Sequence, residues 1–440
     1  MYISKVELEK FKCFNHASIE MGKITLLTGA NSSGKSSLLQ SILSMLQSEA
    51  FPFYLSPNGR FVDLGSFEEM SFQNARNGVI KMAFEVKGTG PTIRKKPITV
   101  KTSWVENKRS RLPQLDSLEY DSFRLWIKIE RRGRRCFLSV KDQIENKYIL
   151  NKLIPTLEKK IPELLNASVL NIKRNTKEII DAPFYSIASL LQKTFYNEDI
   201  SLFDDYRRIL SDFPSIITES TNFIGAFRGR PERTYYQKTK AQERVVQSGD
   251  GYIDQIVEWE ERKDESFKEL TKIMRSLGML YQIRTKNFKG GRFELQIRVH
   301  RGGRLASLTD VGFGISQFLP VIVSDIQLGP SSLLVMSQPE IHLHPKVQAQ
   351  LADYMIEQSK KREKRYLVET HSEYLINRLR LSIVKGNIAP EDVAVYYFTN
   401  TSKGTEVHKI QLNKLGSIEN APKDFFDTYM MDVMDIAVNA

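Results

Sequence analysis

The sequence predicts an α/β fold, a P-loop NTPase whose mostly parallel sheet is accompanied by an antiparallel β portion and a helical insertion. Three observations point there. A strand, a Gly-rich turn and a helix follow one another at TLLTGANSSGKSSLLQSIL, residues 25 to 43. Strand and helix patterns alternate from Gln282 to beyond Glu373, as in a parallel sheet with crossover helices. Between these halves the pattern changes, first to short β-rich pieces and then to helical spacing.

The turn comes first. Gly29 and Gly34 bracket four residues and Lys35-Ser36 follow, which is the spacing of a phosphate-binding loop. Ile24 to Leu27 reads as a buried strand, and Leu38, Leu39, Ile42, Leu43 and Leu46 recur at helical spacing. Backbone N–H groups of such a loop turn inward, and the helix opening near Lys35 aims the positive end of its dipole at the same point. Gly29, Asn31, Ser32, Gly34, Lys35, Ser36 and Ser37 are therefore the expected ATP contacts. Lys35 would reach the β- and γ-phosphates, and the Ser36 hydroxyl would ligate Mg²⁺.

A chain of 440 residues exceeds the size at which one core stops growing, so two or more lobes are expected. No run of eighteen apolar residues occurs and MYISKVELEKFK lacks a signal-peptide core, so a cytoplasmic protein without a membrane partner is expected. Cys13 and Cys136 are too few for a disulfide framework or a thiolate zinc site. The net charge is +12, and twenty Lys or Arg against nine Asp or Glu between Pro91 and Arg174 supply nearly all of it. The densest pieces are Arg94 to Lys96, Lys108 to Arg111 and Arg131 to Arg135, with Trp104, Trp126 and Phe137 nearby. Such clusters suit a phosphate backbone such as DNA. A solvated face, or a patch that docks an acidic protein, fits the same charge.

Residues 1–87 read as the N-terminal part of the nucleotide-binding head, with strands at Tyr2 to Leu8, His16 to Glu20, Lys23 to Leu27 and Val79 to Val86. Residues 88–147 form a basic β-rich extension, and 148–280 a helical insertion with its connecting segment, helical above all at 150–165 and 186–197. The C-terminal part of the head follows at 281–385 and a short terminal domain at 386–440. Asp432 and Asp435 lie on an amphipathic pattern and read as solvated.

Three later segments bring chemistry to the strand ends. SSLLVMSQPEIHLHP, 331 to 345, is a buried strand ending in polar residues, where such sheets hold a Mg²⁺-binding carboxylate and a water-activating base. TDVGFGISQFLPVIV, 309 to 323, is a Gly-rich turn opening a helix, and YLVETHSEYLINRL, 366 to 379, places His371 just past a strand. All three meet the phosphate loop at the sheet edge where open α/β folds bind ligands. Gly312 and Gly314 also fit a plain helix-entry turn, and His342 and His344 read as packing residues rather than zinc ligands.

That order of motifs resembles the ABC-class ATPase heads of the SMC and OLD type. It is most similar to bacterial AAA-family ATPases that end in a short domain of unknown function, echoed in VAVYYFTN and APKDFFD. FIGAFRGRPERTYY, 223 to 236, is similar to an arginine-rich segment of the same group. The resemblance implies two heads facing each other, as a dimer or a higher even state. ATP would lie between one loop and the partner's Gly312, Gly314 and Ser316, with His371 sensing the γ-phosphate. It further implies either an ATPase subunit that licenses a separate nuclease in anti-phage defence, as in systems such as Septu, or a DNA repair or maintenance head. A nucleotide-gated scaffold is the third reading.

One departure bears on turnover. In the slots where such heads carry an acidic Mg²⁺ partner and a catalytic Glu, this chain has Ser337 and Gln338. Neither accepts a proton from water at neutral pH. Glu340, two residues on, is the remaining acid for the base or for Mg²⁺. Hydrolysis by Glu340, slow hydrolysis, and ATP used as a clamp all remain open at this point. After His371 only 69 residues follow, too few for a nuclease domain as well as the closing strands.

Overall fold

Six consecutive buried residues, Ile24–Gly29, form a central strand of the sheet that carries the phosphate loop. The computed structural model describes residues 2–48, 51–52, 54–75, 78–88, 96–123, 125–132, 135–142, 171–173, 176–180, 217–236, 244–422 and 425. The helical stretches expected at 150–165 and 186–197, the segment with Asp432 and Asp435, and Arg94, Lys95 and Arg134 lie outside the described residues. Between those two stretches, Asn171–Lys173 and Thr176–Ile180 are strands.

The first half of the chain runs β1 (Tyr2–Phe11), β2 (Phe14–Glu20), β3 (Ile24–Gly29), α1 (Lys35–Gln47), α2 (Phe67–Met70), β4 (Ile80–Lys87), β5 (Ile98–Glu106), β6 (Pro113–Asp121), β7 (Leu125–Arg132), β8 (Arg135–Asp142), β9 (Asn171–Lys173) and β10 (Thr176–Ile180). The second runs β11 (Thr221–Ile224), β12 (Tyr235–Tyr236), α3 (Tyr252–Glu261), α4 (Glu265–Ser276), β13 (Gln282–Asn287), β14 (Arg292–Arg298), β15 (Ala306–Ser307), α5 (Phe313–Gln327), β16 (Leu333–Ser337), α6 (Pro345–Arg362), β17 (Arg365–Glu369), α7 (Glu373–Val384), β18 (Val393–Thr401), β19 (Gly404–Leu412) and β20 (Ile418–Glu419).

These elements pack as two units. One comprises Met1–Glu20, Ser36–Glu219 and Asn400–Glu406; the other comprises Met21–Lys35, Ser220–Thr399 and Val407–Ala440. The first holds a nine-stranded sheet in the order β2-β1-β4-β5-β6-β7-β8-β10-β9, antiparallel at every pairing. Alternation selects its buried face: Ile80, Met82, Phe84 and Val86 turn inward while Lys81 and Lys87 face water. Phe84 stands opposite Val100 and Val86 opposite Ile98, and Phe51 meets Phe84 edge-on at 5.6 Å. Burying each such side chain contributes about 1.5–3 kcal/mol. Several charges of the basic strands are paired on their own sheet: Lys96 with Asp121 at 2.7 Å, Arg111 with Glu106 at 2.8 Å, and Lys128 with Glu130. Ser66 and Glu69 form a reciprocal capping box on α2, which is why so short a helix begins there.

The second unit holds a seven-stranded sheet in the order β11-β16-β17-β3-β18-β19-β20. Its pairings from β11 through β18 are parallel, which demands the crossovers that the alternating sequence predicts. A smaller sheet joins β12, β14, β13 and β15. The apolar faces of α3 and α4, through Ile256, Trp259, Leu270 and Met274, enter one core with Phe318, Leu319 and Ile322 of α5. Deep in this unit, Asp325 at the end of α5 pairs with Lys364 at 3.1 Å, both side chains 1% exposed. Tyr354 and Tyr366 donate their hydroxyls to the same carboxylate. Burial first, then the Asp325 charge, raises both phenols well above their ordinary range, so they stay donors.

Candidate nucleotide-binding site

Register fixes what the sheet edge presents. Ile224 pairs with Met336, Ser337 with Glu369, and Glu369 with Leu27, so β11, β16, β17 and β3 end together. The loop after β3 is shaped by two glycines. Gly29 has φ +135°, and a Cβ there would meet the Phe398 carbonyl oxygen at 2.4 Å; Gly34 has φ 97°. Asn31 and Ser32 are exposed, Ser32 with φ 59°, and Ser36 and Ser37 open α1, whose first turn carries no acid. The dipole end there is left for an anion.

Lys35 is 3% exposed. Its ammonium donates to the Gly29 and Ala30 carbonyls at 3.0 and 2.6 Å. Burial lowers its pKa and the Glu369 carboxylate opposes that. The lysine is thus held within the loop, beside an acid that the motif does not include.

Beyond β16 the chain turns sharply. Gln338 has φ 45° and His342 has φ 65°. Ser337 Oγ donates to Glu369 Oε2 at 2.8 Å, and the Gln338 N–H donates to the Glu369 carbonyl at 2.7 Å. The turn tucks Glu340 inward, to 8% exposure. Its Oε1 accepts the His371 backbone N–H at 2.7 Å, while its Oε2 has no hydrogen-bond partner. Burial raises the Glu340 pKa, against the opposing His371 N–H, the nearby Thr370 hydroxyl and the Arg228 charge; the Thr370 hydroxyl acts on the carboxylate without meeting hydrogen-bond geometry to Oε2. The His371 ring is exposed, and desolvation with the Lys35 ammonium lowers its pKa, so it is neutral at pH 7. Thr370 and Ser372 lock this corner, Thr370 Oγ1 accepting from the Ser372 N–H at 3.0 Å and Ser372 Oγ accepting from Leu375 N–H at 3.1 Å.

Arg228, four residues beyond β11, joins two of these pieces. Its guanidinium donates to the Gln317 carbonyl at 2.9 Å and to the Gln338 carbonyl at 2.8 Å. Burial pulls its pKa down to about 10, the Glu340 carboxylate opposing, and it remains a cation at neutral pH. The glycine turn at α5 packs on the turn after β16: a Cβ on Gly314 would meet the His342 carbonyl oxygen at 2.6 Å, and the Phe313 and His342 rings sit 4.8 Å apart. Gly312 is exposed, whereas Ser316 is 1% exposed and donates to the Phe313 carbonyl at 2.8 Å. His344 is exposed and caps α6, its Nδ1 accepting the Lys346 N–H at 3.2 Å.

Lys35, Gln338, Glu340 and His371 are therefore gathered at one edge, with Glu369 and Arg228 added. Sequence reasoning assigned neither of the latter a role. Their signals were an acid closing the apolar run YLVE, and an arginine just past a strand in a segment already noted for arginines.

The model of the AAA ATPase domain family matches residues 1–376. The chain belongs to that family. A second model, of a protein family of unknown function, matches this AAA ATPase at residues 388–436, so a small C-terminal domain follows the ATPase domain. No curated protein matches the chain. Similar solved structures include the SMC head domain from Thermotoga maritima, at 14% identity over 94% of this chain and 100% of that chain, with a TM-score of 0.41. Another is an Smc head domain with an extended coiled coil bound to the C-terminal domain of ScpA, derived from Pyrococcus furiosus, at 14% identity over 99% of each chain and a TM-score of 0.41. An SmcHead bound to the C-winged helix domain of ScpA matches at 12% identity over 94% of this chain and 99% of that chain, with a TM-score of 0.42. Among the described residues no helix is long and apolar enough to cross a membrane.

The site's residues fit an ATP–Mg²⁺ pair on their own chemistry. A buried ammonium, a helix start without acids, two loop glycines at positive φ and a carboxylate oxygen without a partner lie on one sheet edge.

Proposed function

We propose that this AAA ATPase binds ATP with Mg²⁺ at Gly29, Asn31, Ser32, Gly34, Lys35, Ser36 and Ser37, and hydrolyses it with Glu340 as the base. The observation that carries this reading is the half-used Glu340 carboxylate. One oxygen is fixed by the His371 N–H and the other is buried without a partner. A raised pKa makes that free oxygen a better proton acceptor than an ordinary carboxylate. Gln338, an amide, takes no proton; its backbone holds the turn between Glu369 and Arg228. Lys35 exchanges carbonyl partners for phosphate oxygens, and neutral His371 donates to the terminal phosphate. Ser36 and the Ser337 edge of β16 would hold Mg²⁺, which would supply charge neutralisation for phosphoryl transfer.

Two copies pair around the nucleotide, so that exposed Gly312 and the Gly314 backbone face the partner's loop. Ser316 supports that turn from inside, its hydroxyl being spent on Phe313. ATP then favours the paired state and hydrolysis releases it. The paired state licenses a separate effector, a nuclease, in defence against phage, with DNA read by the basic region of residues 91–174. The support for DNA is the concentration of charge there; with Lys96, Arg111 and Lys128 paired with acids, Lys108 and Arg109 are the residues to neutralise first.

The test is light scattering of Glu340→Gln and Lys35→Ala with and without ATP–Mg²⁺. Mass doubling, or a higher even multiple, in Glu340→Gln and none in Lys35→Ala is expected. An unchanged mass in Glu340→Gln at saturating ATP would remove the pairing model.

A further inference from the structure

Ser337 stands where an acid is expected, and the acid is found one strand over. We infer that the metal-directed carboxylate of this site is Glu369, aimed by the Ser337 hydroxyl. The inference rests on the ATP–Mg²⁺ reading above.

Glu369 is the last residue of β17, opposite Ser337 of β16 on one side and Leu27 of β3 on the other. It therefore stands between the strand that should carry the acid and the strand that opens into the phosphate loop. Its carboxylate is 4% exposed, and Ser337 Oγ donates to Oε2 at 2.8 Å. Its backbone is pinned too: its carbonyl accepts the Gln338 N–H at 2.7 Å, and the next N–H, of Thr370, donates to the Leu27 carbonyl at 2.9 Å. Its charge already acts on the Lys35 ammonium of the phosphate loop, so the carboxylate lies within the field of the phosphate-binding group. Among the described residues no group of three or more His, Cys, Asp or Glu gathers to hold a metal. A single carboxylate acting with hydroxyl and phosphate oxygens is the arrangement Mg²⁺ adopts in phosphate sites. Ser337, too weak a ligand alone, serves as the positioning residue: it orients the neighbour's carboxylate in place of carrying its own.

The competing role for Glu369 is to neutralise Lys35 and nothing more. Mn²⁺ separates the two. Free Mn²⁺ is titrated by electron paramagnetic resonance into protein saturated with a non-hydrolysable ATP analogue, and analogue affinity is measured in parallel in EDTA. Glu369→Gln keeps the shape and an acceptor for Ser337 while removing the charge. The expected result is a loss of Mn²⁺ affinity of about 10- to 100-fold without loss of analogue affinity in EDTA. Ser337→Asp with Glu369→Gln, which returns a carboxylate to the adjacent strand, recovers Mn²⁺ affinity. Unchanged Mn²⁺ affinity in Glu369→Gln would overturn the inference and leave the nucleotide site intact. If that variant does not fold, Ser337→Ala decides: weaker Mn²⁺ binding with analogue affinity in EDTA retained supports the inference, and unchanged Mn²⁺ binding overturns it. A wild-type protein that does not bind the analogue in either condition would overturn the nucleotide reading, and this inference with it.

Discussion

The Glu340 carboxylate accepts the backbone N–H of His371 at 2.7 Å, so the turn after β16 and the turn after β17 are tied by an acid two residues beyond its expected slot. Burial raises the Glu340 pKa from its ordinary 4.5, so the folded state binds this proton more tightly than the unfolded chain. Its contribution to stability is full below pH 4.5 and is lost as pH rises through the folded value. Glu340→Gln, the neutral isostere, is therefore expected to melt above the wild type at pH 7, with the gap closing as pH falls towards 4.5. Thermal unfolding followed across that range checks both the sign and the closure.

The two glycines of the turn at α5 should behave differently. Gly314→Ala places a Cβ 2.6 Å from a backbone oxygen that cannot simply swing aside, so a loss of about 1–3 kcal/mol is expected. Gly312 has φ −54° and nothing within 4 Å of a built Cβ. Gly312→Ala should cost less than about 1 kcal/mol, as a change of N-cap. Urea unfolding of the two variants gives the comparison, and equal losses would contradict the packing described.

Lys364→Met should cost about 3–5 kcal/mol, because Asp325 keeps its burial and loses its only ammonium partner among the described residues. Replacing Asp325 by Asn in the same chain should recover part of that loss, since no uncompensated charge then remains. The same unfolding measurement reads both variants.

Arg228→Met removes the bridge between Gln317 and Gln338 without touching the phosphate loop. If Arg228 holds Glu340 and α5 in register, kcat should fall by roughly 100-fold, the scale of a misplaced catalytic group, while KM for ATP changes far less. A rise confined to KM, with kcat unchanged, would instead make Arg228 a nucleotide contact.

The local parts of this fold were legible in the sequence because each was set by near neighbours. The run ITLLT before Gly29 is the fully buried β3, and the apolar repeat after Lys35 is α1. The helix opened by the Gly-rich turn at 309–323 is α5, and the strands read before Ser337 and before His371 are β16 and β17. What the sequence hid depends on pairing across strands. The short β pieces at 98–142 read as a local continuation, but they join β1, β2 and β4 in one nine-stranded sheet, a register that no local pattern specifies. Likewise Ser337 and Glu369 are 32 residues apart and become partners only through the β16–β17 register. Arg228 reaches Gln317 and Gln338 across 89 and 110 residues.

The central claim is turnover by a displaced base, and phosphate release from ATP by the purified protein tests it most directly, beside Lys35→Ala and Glu340→Gln. The account predicts measurable release by the wild type and loss in both variants, about 100- to 10,000-fold for Glu340→Gln, with ATP binding retained in Glu340→Gln and weakened in Lys35→Ala. Release by Glu340→Gln at the wild-type rate would contradict it.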